Sequence, residues 1–220
     1  MSYVELHACS AFSFLRGGSF PEQLAETAAE LEMPALALLD RNGVYGAQRF
    51  SVAAREHNVR PIVGCELSMD DGTVLPVLVE NRTGYRNLCE LLTHAHLRSE
   101  KGNCVVQWNH LAQFAKGLIW FFNASFLTDR GYRRFTEQSC AEARAMLEQI
   151  EKPSGWEWAS QPPEKRIEML INTFGRQNIF IEIQRHFIRG EEAVNRELID
   201  LAETYQLPLL ATNGDRKSVV

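Results

Sequence analysis

The sequence predicts an α/β fold whose strands close toward a barrel within a single domain. Three observations predict it. Apolar runs of strand length alternate with amphipathic helical runs, seven such strands fit into 220 residues, and several of them end on a residue that could bind a metal. Alternation implies a mainly parallel sheet, and seven strands in so short a chain favour closure over an open sheet.

Taken in order, Tyr3–His7 is short and β-rich. Ser19-Phe20-Pro21-Glu22 then reads as a capping box with proline in the first turn, opening an amphipathic helix that runs to Leu31. Ala35–Leu39 is an almost unbroken apolar strand of the kind covered on both faces, followed by a loop with Gly43 and Gly46 and a helix over Ala47–Glu56. Arg60–Leu67 and Val74–Val79 are strands around an Asp70-Asp71-Gly72 turn, and a helix follows near Tyr85–Leu97. Gly117–Phe122, Ile179–Ile183 and Pro208–Thr212 supply the remaining strands, the last two bracketing a helix over Glu191–Tyr205. Between Ser99 and Ser160 the pattern loosens. Lys101–Asn109 reads as loop, Glu137–Ile150 as helix, and Pro153–Pro163, with Trp156 and Trp158, as an irregular surface segment. No repeat or linker divides the chain.

Composition bounds the function. At 45% hydrophobic and 23% charged, the chain is ordinary globular material. A net charge of -5 opposes gripping nucleic acid through a broadly basic face. Five scattered cysteines without a CxxC pair indicate neither a disulfide framework nor a zinc knuckle, and they fit a reducing compartment. No apolar run approaches the ~20 residues that span a bilayer, so the expected location is the cytoplasm, away from membrane.

The candidate chemistry sits at strand ends. His7 and Cys9, two apart on an extended strand, would share a face, where an imidazole and a thiolate could hold zinc; the bland reading is a satisfied strand-end His beside a small buried Cys. Asp40 closes a buried strand, where a carboxylate is costly unless paired or ligated, and Glu66 follows the same logic. Glu182 and Gln184 would share a strand face, with His186 rejoining it at the rim. His94 and His96, two apart on a helix, point different ways and read as solvated or satisfied. Phe12, Phe14, Tyr45 and Phe50 read as packing residues, since no basic interleaving suggests base stacking.

In order, Tyr3–Leu15, Pro34–Asp40, Pro61–Leu67, Glu182–His186 and Pro208–Asn213 resemble the polymerase-and-histidinol-phosphatase (PHP) domain that begins bacterial C-family DNA polymerases. Asp40-Arg41-Asn42-Gly43-Val44-Tyr45-Gly46 and Gly84-Tyr85-Arg86-Asn87-Leu88-Cys89 are most similar to the error-prone branch. The resemblance covers residues 1–214 and implies a distorted (β/α)7 barrel with a metal cluster at the strand C-termini. Intact members carry phosphoesterase or exonuclease activity, and the polymerase palm lies downstream of the domain.

This chain keeps His7, Asp40, Glu66, Glu182 and His186 at the matching positions. The second His of the family's His-x-His pair is Cys9, the Asp before the first glycine turn is Arg16, the His after Asp40 is Arg41, and a further family cysteine falls near Ala124. A guanidinium cannot ligate a metal. At ~5 Å and an effective dielectric of ~20, one Arg charge opposes a dication by more than about 6 kcal/mol. The expectation is therefore a degenerate site in which Arg16 and Arg41 stand in for the cation, with no catalytic residue assigned. The cofactor expected is none, or one weakly held zinc or manganese through His7, Cys9 and Glu66.

The function implied is the PHP domain of a translesion polymerase, a scaffold without the palm. Its partners would be the rest of the polymerase chain, DNA through that enzyme, and other mutagenesis or replication factors. The alternatives are a stand-alone metal-dependent phosphoesterase and a pure interaction module. Asp215–Val220 departs from the family pattern and matches one frame of a sequencing adapter, so residues 215–220 are expected to be a non-native tail, the alternative being a genuine frameshift or natural truncation.

Overall fold

In the computed structural model, residues 3–100, 102–127, 161–187 and 190–213 are described. Seven strands, β1 (Glu5–Ala8), β2 (Ala35–Arg41), β3 (Arg60–Ser68), β4 (Val74–Val79), β5 (Leu118–Phe122), β6 (Ile179–Gln184) and β7 (Leu209–Thr212), lie side by side in sequence order in one sheet. Four of the neighbouring pairs are parallel, and β4 runs antiparallel to both β3 and β5. The reversal comes from the Asp70-Asp71-Gly72 turn. Met69 N–H donates to Thr73 O at 3.0 Å, and Gly72 takes φ +83°, which glycine adopts without a Cβ penalty.

Strand alternation sorts the side chains. Ala37, Leu39, Leu78 and Phe121, with Leu6, Ile62, Ile119, Phe180 and Leu210, pack together inside the curved sheet. On the outside, Leu36 and Leu38 pack against Ala25, Ala28, Phe50 and Ala53 of α1 (Pro21–Glu30) and α2 (Ala47–Glu56). A larger cluster joins Leu67, Leu75, Trp120, Phe122 and Ile181 to α3 (Arg82–Arg98), α4 (Trp108–Phe114), α5 (Pro163–Phe174) and α6 (Glu191–Tyr205). α3 lies close to the start of β5: a Cβ on Gly84 would stand 1.8 Å from the Gly117 carbonyl oxygen.

The structure corrects several local readings. The cap of α1 is one residue later than the Ser19/Glu22 pattern suggests: Phe20 is the N-cap, its N–H donates to Gln23 Oε1 at 2.8 Å, and Glu22 instead pairs with Arg49. α4 occupies part of a stretch read as loop, because Trp108, Leu111 and Phe114 form a short buried stripe too brief to announce itself as periodic. Pro162-Pro163, read as the end of an irregular segment, instead opens α5, where a missing N–H costs nothing in the first turn. Phe50 is buried, but Phe12, Phe14 and Tyr45 are 40%, 83% and 60% exposed, so the packing reading fails for those three rings. They lie on loops at the strand ends. The helix expected over 137–150, the irregular segment up to 160, Cys140 and residues 215–220 lie outside the described residues. Among the described residues, no helix is long and apolar enough to cross a membrane.

Candidate functional site at the barrel mouth

The inward face of the sheet is apolar in the middle and polar at the C-terminal ends of its strands. Along β2, Ala37 and Leu39 lead to Arg41. Along β3, Ile62 and Gly64 lead to Glu66; along β6, Phe180 leads to Glu182 and Gln184; along β7, Leu210 leads to Thr212. The same alternation carries Ile119 and Phe121 of β5 to Asn123 just beyond the strand. In β1 three steps from Glu5 to Ala8 match two in β2, and this irregularity re-aims the strand end that bears His7.

These residues form a continuous ion-paired network. His7 is 5% exposed and spans two carboxylates, with Nδ1 2.5 Å from Glu182 Oε1 and Nε2 2.9 Å from Glu66 Oε1. The other oxygen of Glu66 accepts from Arg16 Nη1 at 3.0 Å and from Arg41 Nη1 at 3.2 Å. Arg41 is braced by Nε donating to Ser68 Oγ at 2.8 Å, and Asn42, at φ +51°, holds that same hydroxyl through Nδ2 while accepting from Ser68 N–H. Glu182 is also satisfied by Thr212 Oγ1 at 2.7 Å and Asn123 Nδ2 at 3.2 Å.

The electrostatics follow from this geometry. Burial acts against the His7 imidazolium, but Glu182 and Glu66 outweigh it and push the pKa up to about 10. Burial likewise penalises the Glu66 carboxylate, yet hydrogen bonding and charge from His7, with Arg41 and Arg16 behind it, hold its pKa down at about 2. Glu182 is held below the ordinary carboxylate range despite burial by His7, Thr212 and Asn123. The mouth thus sets three cationic side chains, His7, Arg16 and Arg41, against the carboxylates of Glu66 and Glu182.

Asp40 has the opposite strand parity to Arg41 and faces the loop after β1. Its carboxylate accepts from Ser10 N–H and Ser10 Oγ, both at 2.9 Å, and from Ser13 Oγ at 2.8 Å. Ser13 Oγ also accepts from Arg41 N–H at 3.0 Å, which joins this network to the first. Gly46 lies so close that a Cβ there would come within 2.8 Å of Asp40 Oδ2. His186 stands apart, with Nδ1 2.8 Å from Glu191 Oε1 and Nε2 2.7 Å from Asn213 O. Cys9 is half-buried on the loop beyond β1, where the strand alternation invoked for His7 and Cys9 no longer applies. Of the expected residues, the structure therefore brings His7, Glu66, Glu182, Arg16 and Arg41 into direct contact and sets Asp40 beside them. His96 Nε2 donates to the Asn42 carbonyl at 2.9 Å, as a satisfied helix-surface histidine would. Thr212, Asn123, Ser10 and Ser13 were not singled out from the sequence, although each lies just within or just past a strand end.

A divalent cation needs unshared lone pairs, and both nitrogens of His7, both oxygens of Glu66 and the carboxylate of Asp40 are already engaged. Two guanidiniums share the Glu66 oxygen that faces them. Among the described residues no three His, Cys, Asp or Glu side chains are arranged to hold a metal ion. The residues present do not fit a metal as they stand.

Comparison with known proteins agrees with this architecture. Residues 5–186 match the PHP domain family. An error-prone DNA polymerase from Mycolicibacterium paratuberculosis is 34% identical over 224 residues, covering 96% of this chain and 18% of that protein. An error-prone DNA polymerase from Mycobacterium tuberculosis is 36% identical over 225 residues, covering 97% of this chain and 19% of that one. The chain thus spans about a fifth of the length of these relatives. Among solved structures, a protein assigned as a metal-dependent phosphoesterase from Bifidobacterium adolescentis superposes with a TM-score of 0.57 at 14% identity, over 97% of this chain and 87% of its own. A lesion-specific endonuclease from Pyrococcus furiosus gives a TM-score of 0.52 at 13% identity, over 97% and 49%. At those identities the likeness concerns the fold alone.

Proposed function

The chain belongs to the PHP domain family, and from that premise we propose that it serves as the PHP domain of an error-prone DNA polymerase, its mouth an ion-paired scaffold rather than a hydrolytic centre. Identity of 34–36% to error-prone polymerases across 96–97% of the chain supports the polymerase assignment. The observation that carries the scaffold assignment is the pairing of Glu66 with both Arg16 and Arg41 while His7 bridges Glu66 and Glu182.

In this reading His7, Asp40, Glu66 and Glu182 are the remnant of a ligand set, Cys9 and His186 occupy its outlying positions, and the arginines supply the positive charge that a metal would otherwise bring. The domain's partners are then the rest of a polymerase chain and, through it, DNA and other replication or mutagenesis factors, in the cytoplasm. Synthesis across lesions would belong to the palm of that larger enzyme. Two measurements test this. The purified chain should release no phosphate from nucleotides or 3′-ended DNA with manganese or zinc above the level of a Glu66→Ala control. A polymerase carrying this domain should retain DNA synthesis after Glu66→Gln at temperatures where the domain stays folded. Robust metal-dependent hydrolysis abolished by Glu66→Ala would favour the stand-alone phosphoesterase instead.

A further inference from the structure

A cleft of about 200 Å3, sharing no residue with the barrel mouth, lies between α3 and the segment 105–110. Its lining combines apolar side chains, Leu91 and Val106 among them, with His94, Arg98, His110 and Asp70. α3 places His94 and Arg98 one turn apart on the same face. Arg98 Nη1 lies 3.0 and 2.8 Å from the two ring nitrogens of His110. A contact shared between both nitrogens is not a directed hydrogen bond, because their lone pairs diverge. It is a cation held against an imidazole ring, a neighbour that disfavours a second positive charge on the ring. Burial first, then the charges of Arg98 and His94, lower the pKa of His110 in keeping with that contact. A chain with net charge -5 has therefore gathered a guanidinium and two imidazoles around one cavity, with Arg98 lying against a ring rather than a carboxylate.

We propose that this cavity binds a phosphate monoester, with Arg98 as the fixed charge, His94 and His110 donating from the sides, and Leu91 and Val106 meeting the apolar part of the group that the phosphate carries. Such an anion would accept from all three nitrogen groups, and charge-assisted bonds of this kind are the strong ones. The lining's carboxyl, Asp70, has its Oδ1 buried without a hydrogen-bond partner. Burial and the neighbouring Asp71 push that carboxyl's pKa up. Phosphate binding here would be independent of the polymerase assignment, since it involves neither the mouth nor its chemistry.

The test follows the His94 and His110 imidazole signals by NMR while inorganic phosphate, deoxyadenosine monophosphate, or a short single-stranded oligonucleotide without terminal phosphate is added at constant ionic strength. Saturable shifts are expected for the first two, tighter for the nucleotide, and roughly tenfold weaker in Arg98→Gln. Affinity should rise as pH falls through the ordinary histidine range, because the anion reverses the pressure that keeps His110 neutral beside Arg98 and His94. His110→Asn should remove that pH dependence while keeping residual binding through Arg98. Linear shifts that are the same in Arg98→Gln would overturn the proposal. So would binding of the oligonucleotide alone, which would instead indicate contact with backbone phosphates.

Discussion

Replacing Glu66 with glutamine keeps the shape of the side chain and removes the charge on which the mouth turns. His7, Arg16 and Arg41 would then confront a neutral amide, while Glu182 alone would balance His7. The carboxylate's pKa falls from 4.5 to about 2 in the folded protein, and its side chain is only 15% exposed. Because a tenfold change in proton affinity is worth about 1.36 kcal/mol, losing this charge should destabilise the fold by about 3 kcal/mol at neutral pH. Breaking one partner of a buried ionic cluster falls in the same range. The pH dependence has a definite sign. A depressed carboxylate contributes stability that is present above its unfolded pKa near 4.5 and is lost as pH falls through about 2. The deficit of Glu66→Gln should therefore be full at pH 7 and narrow progressively on acidification below 4.5. Urea unfolding of both proteins, followed by fluorescence between neutral and acidic pH, measures it. A loss below about 1 kcal/mol, the range of exposed ion pairs, would refute the reasoning, as would a deficit that does not change with pH.

His7 titrates in the opposite sense: its pKa rises from 6.5 to about 10, so its contribution is fully present below 6.5 and is lost as pH rises through about 10. Its NMR signals should remain those of an imidazolium at pH 8, and a neutral ring there would contradict the double carboxylate pairing. If the arginines replace a cation, the triple change Cys9→His, Arg16→Asp and Arg41→His should confer zinc or manganese binding that the parent lacks, measured by metal content after dialysis. An equal metal content in both proteins would count against the replacement. Gly84→Ala should destabilise by about 2 kcal/mol or more, because its Cβ would collide with the Gly117 carbonyl backbone; a change in thermal midpoint within error would show that α3 can shift away from β5 at little cost.

The fold was legible because the signals were long and agreed with one another. The uninterrupted apolar run at Ala35–Leu39 and the helices over residues 47–56 and 191–205 emerged almost as read. The reversed direction of β4 was legible only as a turn between two strands, since hydrophobic patterning carries no direction. α4 was missed because a seven-residue helix offers two turns of periodicity, and α5 because its prolines look like punctuation until the helix behind them is seen. At the site, strand parity was the recoverable signal. Counting in twos from Ala37 to Arg41, from Ile62 to Glu66 and from Phe180 to Gln184 gives the inward residues, and it places Asp40 on the other face. What the sequence did not show was who partners whom. Nothing local links Glu66 to Arg16, 50 positions away, or His7 to Glu182. The irregular step in β1 that re-aims His7 has no sequence mark either.

β1 and β7 are the two ends of the sheet order, and side chains rather than a backbone ladder join them. Glu5 Oε2 accepts from Asn213 N–H at 2.8 Å, and His7 of β1 grips Glu182 of β6 beyond β7. The ion pair at the mouth is consequently also a clasp between the two ends of the sheet, which among the described residues no backbone ladder joins. The His7–Glu182 pair therefore fastens the barrel where its strand order closes on itself, so removing it should loosen the whole sheet whatever chemistry the mouth performs.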